Sequence, residues 1–145
     1  MSDAKKIARF LKHIRSQCRK LNVVFRLSNS IGINSGDGEE RLYGIFVSPT
    51  TEKSGSLRVA IKNRRRSVWI VDVAHEYVHM MQWFRGDKLY EDHFRGDVSY
   101  AKLEAATEKE ALVLLKAWGI VPGKRQLKRS KQYIAKLRVE ERQSA

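Results

Sequence analysis

The apolar and polar positions along the chain predict three helices, a group of short strands and a basic C-terminal helix. Residues 3–20 carry apolar side chains at steps of three and four, which predicts an amphipathic first helix. Its apolar positions are Ile7, Phe10, Leu11, Ile14, Cys18 and Leu21. Lysines and arginines fill most of the remaining surface, so the outer face is expected to be solvated, with nucleic-acid contact as the alternative.

Three runs rich in β-branched and aromatic residues follow and predict short strands: Asn22–Leu27, Leu42–Ser48 and Leu57–Lys62. Residues 30–40 and 49–55 connect them, and both connections are polar. The first connection contains glycines but no phosphate-loop lysine, so it is interpreted as a flexible link. Consecutive strands with short connections favour an antiparallel three-stranded meander.

A strongly apolar helix is predicted from Val68 to about Phe84, with Ser67 as its N-cap. Its apolar stripe is wide, which predicts a central position in the fold. Three arginines directly precede it, within residues 63–66, where the helix dipole disfavours positive charge. They are expected either to form a charged loop or to face a partner.

The chain after this helix is expected to be polar and irregular over residues 87–98, following Gly86. A further helix is predicted from Ser99 to Trp118, because alanine, leucine and glutamate dominate it and Gly119 follows. Residues 122–145 predict a basic C-terminal helix, a candidate for a peripheral element.

Length and composition predict the fold class, the type of partner and the cellular compartment. At 145 residues, the chain fits one α+β domain, residues 1–145. Lys and Arg outnumber Asp and Glu by 29 to 16, a net charge of +13 that favours a partner such as DNA or RNA. The single cysteine, Cys18, suits a reducing compartment. Because no secretory signal is apparent and no apolar run is long enough to cross a bilayer, a cytoplasmic protein without a membrane partner is expected.

The candidate chemistry lies in the apolar helix, at His75-Glu76-Tyr77-Val78-His79. Residues four apart share one helix face, so both imidazoles can bind a single cation. Glu76 projects beside them, where a carboxylate can act as general base on an activated water. The alternative is a helix that carries two surface histidines by chance.

The next helix offers the third ligand. Glu104 and Glu108 are four apart and share a face, and a catalytic zinc with two histidines needs one more protein ligand. Glu104 is favoured because Glu108, one turn on, could then orient a ligating histidine. Glu108 remains the alternative ligand, and His93, in the segment between the helices, competes for the same role.

With these motifs the chain resembles a compact gluzincin, a zinc metallopeptidase of the class with two histidines and a glutamate. It is similar to the small bacterial and phage-encoded ImmA/IrrE-type and minigluzincin domains. The resemblance covers roughly residues 40–118 and is most specific at the HExxH motif. It implies a zincin-like fold, Zn²⁺ held by His75, His79 and Glu104, water activation by Glu76, and support of a ligating histidine by Glu108.

The chain has no obvious counterpart of the histidine or tyrosine that stabilises the oxyanion in larger members. Tyr90, His93 and Tyr100 are candidates for that role. It also brings no second domain to shape a deep cleft. The expected function is zinc-dependent hydrolysis of a protein or peptide substrate. The alternative is a basic nucleic-acid-associated protein with a structural or vestigial zinc site, or a protease that acts on DNA-bound proteins, as SprT-like enzymes do.

Overall fold

The computed structural model describes residues 1–34 and 41–144, and within them the fold is α+β, as predicted. The helices are α1 (Asp3–Lys20), α2 (Arg66–Arg85), α3 (Lys88–Phe94), α4 (Tyr100–Ala117) and α5 (Lys124–Ser144). The strands are β1 (Val23–Ser28), β2 (Ile33–Asn34), β3 (Arg41–Leu42), β4 (Gly44–Val47) and β5 (Gly55–Ala60). Most of the predicted flexible link, residues 35–40, lies outside the described residues.

The three-stranded sheet is mixed, so the predicted antiparallel meander is wrong. Its order is β1-β5-β4, with β1 parallel and β4 antiparallel to the central β5. Leu57 therefore lies between Phe25 on one side and Phe46 on the other. Leu57, Val59 and Ala60 are fully buried, so burial favours β5 as the central strand. Short connections in the sequence do not determine which edge of β5 receives β1.

Helix α2 begins at Arg66, with Arg65 at the N-cap and no side-chain cap, so the predicted N-cap Ser67 is wrong. Arg64 stays within the molecule: its guanidinium pairs with Asp72, donates to the carbonyl of Ala60 at 2.6 Å and lies 4.2 Å from the ring centroid of Tyr43. The bonds to Asp72 and Ala60 link the second turn of α2 to the end of β5.

The segment predicted to be irregular contains the short helix α3. Lys88 and Asp92 form an ion pair one turn apart, and the rings of Tyr90 and Phe94, also four apart, lie 4.7 Å from each other. Such i,i+4 pairs stabilise a helix too short to show a clear apolar period. The segment 87–98 is therefore partly helical, with ion pairs and aromatic contacts between its residues.

The core is built around α2, which packs against β4, β5 and α4. Side chains that are fully or nearly fully buried come from α1, β5, α2 and α4: Phe10, Ile14, Leu57, Val59, Ile70, Val71, Val73, Met80 and Leu115. This confirms the predicted central position of the apolar helix. The histidine motif is thus carried by the helix that buries the most side chains among the described residues, which favours a preorganised site.

Helix α5 packs on α4. It buries Ser130 and Ile134, and the carboxylate of Glu141 accepts the backbone N–H of Ala101 at 2.7 Å. That bond satisfies one of the amide groups that the first turn of a helix leaves unpaired. Among the described residues, no helix has the length and apolar character needed to span a bilayer.

Candidate metal centre

His75 and His79 project from one face of α2, as their spacing predicts. Their ring centroids are 4.8 Å apart, with the ring planes nearly perpendicular at 80°. His75 is 7 % exposed, so it is a buried histidine and not one of a chance surface pair. A buried polar ring must have partners, because an unpaired one costs free energy.

Glu104 supplies that partner from α4. Its Oε2 lies 2.8 Å from His75 Nε2 and 2.9 Å from His79 Nε2, and the carboxylate is 3 % exposed. The three ligand atoms all lie within 4.8 Å of one another, so these residues form a group able to hold a metal ion. Two imidazoles and a carboxylate suit zinc and also other divalent first-row metals.

The two remaining ring nitrogens face acceptors, which tests whether the imidazoles fit a metal. His79 Nδ1 donates to Gln82 Oε1 at 3.0 Å, and His75 Nδ1 lies 3.6 Å from Glu108 Oε2. With a cation bound, acceptors at Nδ1 favour the tautomer whose Nε2 lone pair faces the ion. Both Nε2 atoms point to the same oxygen of Glu104, so the donor set fits a cation.

The histidines and carboxylates of this group shift one another's pKa values. Burial alone would lower the pKa of His75, but its contacts with Glu104 and Glu108 outweigh burial and raise the pKa well above the usual value. Burial alone would raise the pKa of Glu104, but its hydrogen bonds to both histidines hold it well below the usual value. Glu104 is therefore an anion at all ordinary pH values, as a metal ligand must be.

His79 is oriented by a buried relay of side chains. Gln82, 3 % exposed, accepts from His79 and donates through Nε2 to Thr107 Oγ1 at 3.1 Å. Thr107 in turn donates to the carbonyl of Leu103 at 2.8 Å. Each polar atom in the relay has a partner, so the amide of Gln82 has one favoured orientation. The relay connects α2 to α4 next to His79.

His75 is flanked by two carboxylates. Glu108 Oε2 lies near its Nδ1, while Glu108 Oε1 is buried and finds no hydrogen-bond partner among residues 1–34 and 41–144. Asp72, one turn before His75 on α2, is held by Arg64. Burial raises the pKa of Asp72, against the effect of Arg64. Glu108 thus lies where it can support a ligating histidine, and it is not one of the three converging ligands.

Glu76 lies next to His75 on α2 and faces strand β4. A methyl group built on Gly44 would meet Glu76 Cγ at 2.9 Å and Oε1 at 3.3 Å. Burial raises the pKa of Glu76; the neighbouring histidines oppose this shift, and Glu104 adds to it. A carboxylate with a raised pKa is a stronger base than a solvated one, which suits proton transfer.

Two tyrosine hydroxyls donate to the other carboxylate oxygen of Glu104, Oε1. The hydroxyl of Tyr100 donates to Oε1 at 2.7 Å, and that of Tyr133, from α5, donates at 2.9 Å. Burial and the charge of Glu104 raise the pKa of both phenols far above the usual value, so both stay protonated donors. The hydroxyl of Tyr100, a candidate for oxyanion stabilisation, is thus already used as a donor to Glu104.

The other two oxyanion candidates lie on or beside α3. His93 Nδ1 donates to the carbonyl of Val98 at 3.0 Å, and His93 is not part of the converging ligand group. The ring of Tyr90 lies 6.3 Å from that of His79, and burial together with the charge of Glu76 raises its pKa. Tyr90 is therefore the candidate whose surroundings include both His79 and Glu76.

Four residues of the site were not identified from the sequence: Gly44, Gln82, Thr107 and Tyr133. Gln82 and Thr107 each stand three residues after a ligand candidate, a spacing that places them on the same helix face. That spacing is a usable signal. Gly44 and Tyr133 lie on elements far along the chain, and no local pattern points from them to the histidines.

Comparisons with protein-family models, with curated proteins and with solved structures found no match.

Proposed function

We propose that the chain is a zinc-dependent metallopeptidase. The observation that supports it is the convergence of His75, His79 and Glu104, with Glu76 beside them on α2. A bound zinc ion would polarise the scissile carbonyl and lower the pKa of a water molecule. Glu76 would accept a proton as the water oxygen attacks the carbonyl carbon, and would donate it to the leaving nitrogen as the C–N bond breaks.

The number of protein ligands favours a catalytic site over a structural one. The described residues bring three ligands together, whereas a structural zinc is closed by four. A catalytic zinc keeps its fourth position for water and substrate. The buried relay through Gln82 and the carboxylate of Glu108 supports both histidines in the orientation that such a site needs.

Strand β4 is the natural place for a peptide substrate. Among the described residues it is one of the two edge strands of the sheet, paired with β5 on one side only, and Gly44 lies against Glu76. A peptide that adds to an edge as an extra strand gains backbone hydrogen bonds without a deep cleft.

Two measurements test the proposal. Purified protein should contain about one zinc per chain by elemental analysis, and should cleave an unfolded protein such as casein only when zinc is present. Glu76→Gln should retain the zinc and lose cleavage. A wild-type protein that never binds zinc, or a Glu76→Gln variant that cleaves normally, contradicts the proposal.

The second candidate function, binding of nucleic acid, is favoured by the outer face of α5. Eight basic residues of this helix are exposed: Lys124, Arg125, Lys128, Arg129, Lys131, Lys136, Arg138 and Arg142. Of the residues of α5, only Ser130 and Ile134 are buried. Such a face neutralises phosphates, and a protease with it could act on DNA-bound proteins.

Salt dependence separates a phosphate-binding face from a merely solvated one. The affinity for a DNA duplex should fall steeply with salt, and Lys124→Gln with Lys128→Gln should reduce the slope of log K against log salt by about 2. Lys53→Gln, at an exposed turn outside α5, is the matched control. Absence of DNA binding at low salt rules out this function and leaves the peptidase proposal unaffected.

A further inference from the structure

Helix α5 reaches the metal centre through one side chain. Tyr133 is 38 % exposed, yet its hydroxyl lies 2.9 Å from Glu104 Oε1. The hydroxyl of Tyr100 lies 2.7 Å from the same oxygen, and the two phenol oxygens are 3.5 Å apart. Two donors from two different helices therefore converge on one oxygen of the ligand candidate.

The two carboxylate oxygens of Glu104 have different partners. Oε2 faces the Nε2 atoms of His75 and His79, whereas Oε1 accepts both phenols. A carboxylate oxygen has about two lone-pair positions, so the phenols fill those of Oε1. Only Oε2 is then available to a cation.

We propose that Tyr133, with Tyr100, is a positioning residue that holds Glu104 as a one-oxygen ligand, so that α5 is a working part of the metal centre. This inference rests on the metal site of the proposed function. Without the phenols, Oε1 would be a buried anion short of donors, and it would rotate toward the cation or toward water. Either movement changes the coordination number or weakens binding.

The role of Tyr133 is separable from the docking of α5. The helix is also held by the buried Ile134 and by the bond from Ala101 N–H to Glu141. Tyr133→Phe removes one oxygen and keeps the ring. The variant should therefore keep α5 in place and lose only the bond to Glu104.

The experiment uses the full chain loaded with Co²⁺, whose visible spectrum distinguishes four-coordinate from five-coordinate sites. Zinc affinity is measured in parallel by competition with a chromogenic chelator. Wild type should give a strong four-coordinate spectrum. Tyr133→Phe and Tyr100→Phe should each weaken zinc binding by about 10-fold, and the double variant should shift the spectrum toward five-coordination. Tyr43→Phe, an exposed tyrosine outside the ligand group, should match wild type.

The outcomes distinguish this inference from the metal site itself. A wild type that binds neither Co²⁺ nor Zn²⁺ refutes the site and everything built on it. A wild type that binds both, with Tyr133→Phe unchanged in affinity and the double variant unchanged in spectrum, overturns the positioning role alone. If Tyr133→Phe loses its fold, Tyr100→Phe gives the same readout from α4, which carries Glu104 itself.

Discussion

Gly44 on β4 lies so close to Glu76 on α2 that even one methyl group at Gly44 would come within 2.9 Å of Glu76 Cγ. This contact sets the distance between the edge strand and the candidate general base. It also explains why β4 begins with a glycine, since glycine in a strand often marks the close approach of another group. The contact places β4, the proposed substrate-binding strand, directly beside Glu76, the proposed general base.

Gly44→Ala should therefore impair proton transfer and spare the metal. The added Cβ forces Glu76 or the strand to move by a few tenths of an ångström or more. A displacement on the order of 1 Å at a catalytic group costs up to about 100-fold in rate. We expect kcat to fall by about 10- to 100-fold in a casein or peptide assay, with zinc content unchanged.

Gly123→Ala is the matched control, because a Cβ there meets nothing within 4 Å. It should leave both kcat and zinc content at wild-type values. Wild-type kcat in Gly44→Ala would mean that Glu76 tolerates the movement and that this contact plays no part in catalysis.

Substitution of the two glutamates of α4 should separate ligand from supporting residue. Glu104→Ala removes the oxygen shared by both Nε2 atoms, so stoichiometric zinc binding should be lost. Glu108→Ala removes only the group near His75 Nδ1, and zinc affinity should fall by about 10- to 100-fold. Chelator competition measures both. The reverse order of effects would make Glu108 the ligand.

The buried relay beneath His79 gives a third prediction. Gln82→Met keeps the size of the side chain but removes the acceptor at His79 Nδ1 and the donor to Thr107. The imidazole would lose its fixed tautomer, so zinc affinity should fall by about 10- to 100-fold. Gln132→Met, on the exposed side of α5, controls for the change of residue type. Equal affinities in the two variants would show that the relay does not support the metal.

The sequence predicted the helices because their periodicity is local. Residues 3–20 agree with α1, and Ser99 is the N-cap of α4, where its Oγ accepts the amide of Lys102. It also predicted that the HExxH helix is central, and the structure brings together His75, His79 and Glu104. Spacing predicted the shared face of His75 and His79 and that of Glu104 and Glu108, because i,i+4 residues share a face whatever the rest of the fold does. That α4 packs against α2 and brings Glu104 to the histidines is seen only in the structure.

Two of the errors concern interactions between distant segments. Parallel pairing of β1 with β5 depends on which edge of a buried strand is filled, and local alternation carries no information on that choice. The missed Tyr133 reaches Glu104 across 29 residues, through the docking of α5 on α4. Helix α3 was missed because it is short and its residues are linked by ion pairs and ring contacts, such as Lys88 with Asp92 and Tyr90 with Phe94, and not by an apolar period.

The ion pair between His75 and Glu104 gives the last prediction, on stability in excess chelator. The pKa of His75 in the folded protein is raised well above the unfolded value of about 6.5. Its contribution to stability is therefore full below about pH 6.5 and is lost as pH rises through the higher folded pKa. The pKa of Glu104 is depressed, so its contribution is full above about pH 4.3 and is lost as pH falls further.

Chelated protein should thus be most stable between about pH 4.5 and 6.5, and its free energy of unfolding should decline toward pH 9. With zinc the trend should reverse over neutral pH, because metal binding requires deprotonated imidazoles and strengthens as pH rises. Urea unfolding with chelator and with zinc, at half-unit steps from pH 4 to 9, measures both curves. Glu104→Gln removes the carboxylate with the largest effect among those that raise the pKa of His75, so it should flatten the alkaline decline of the chelated protein. A decline of equal size in wild type and Glu104→Gln would assign it to other groups.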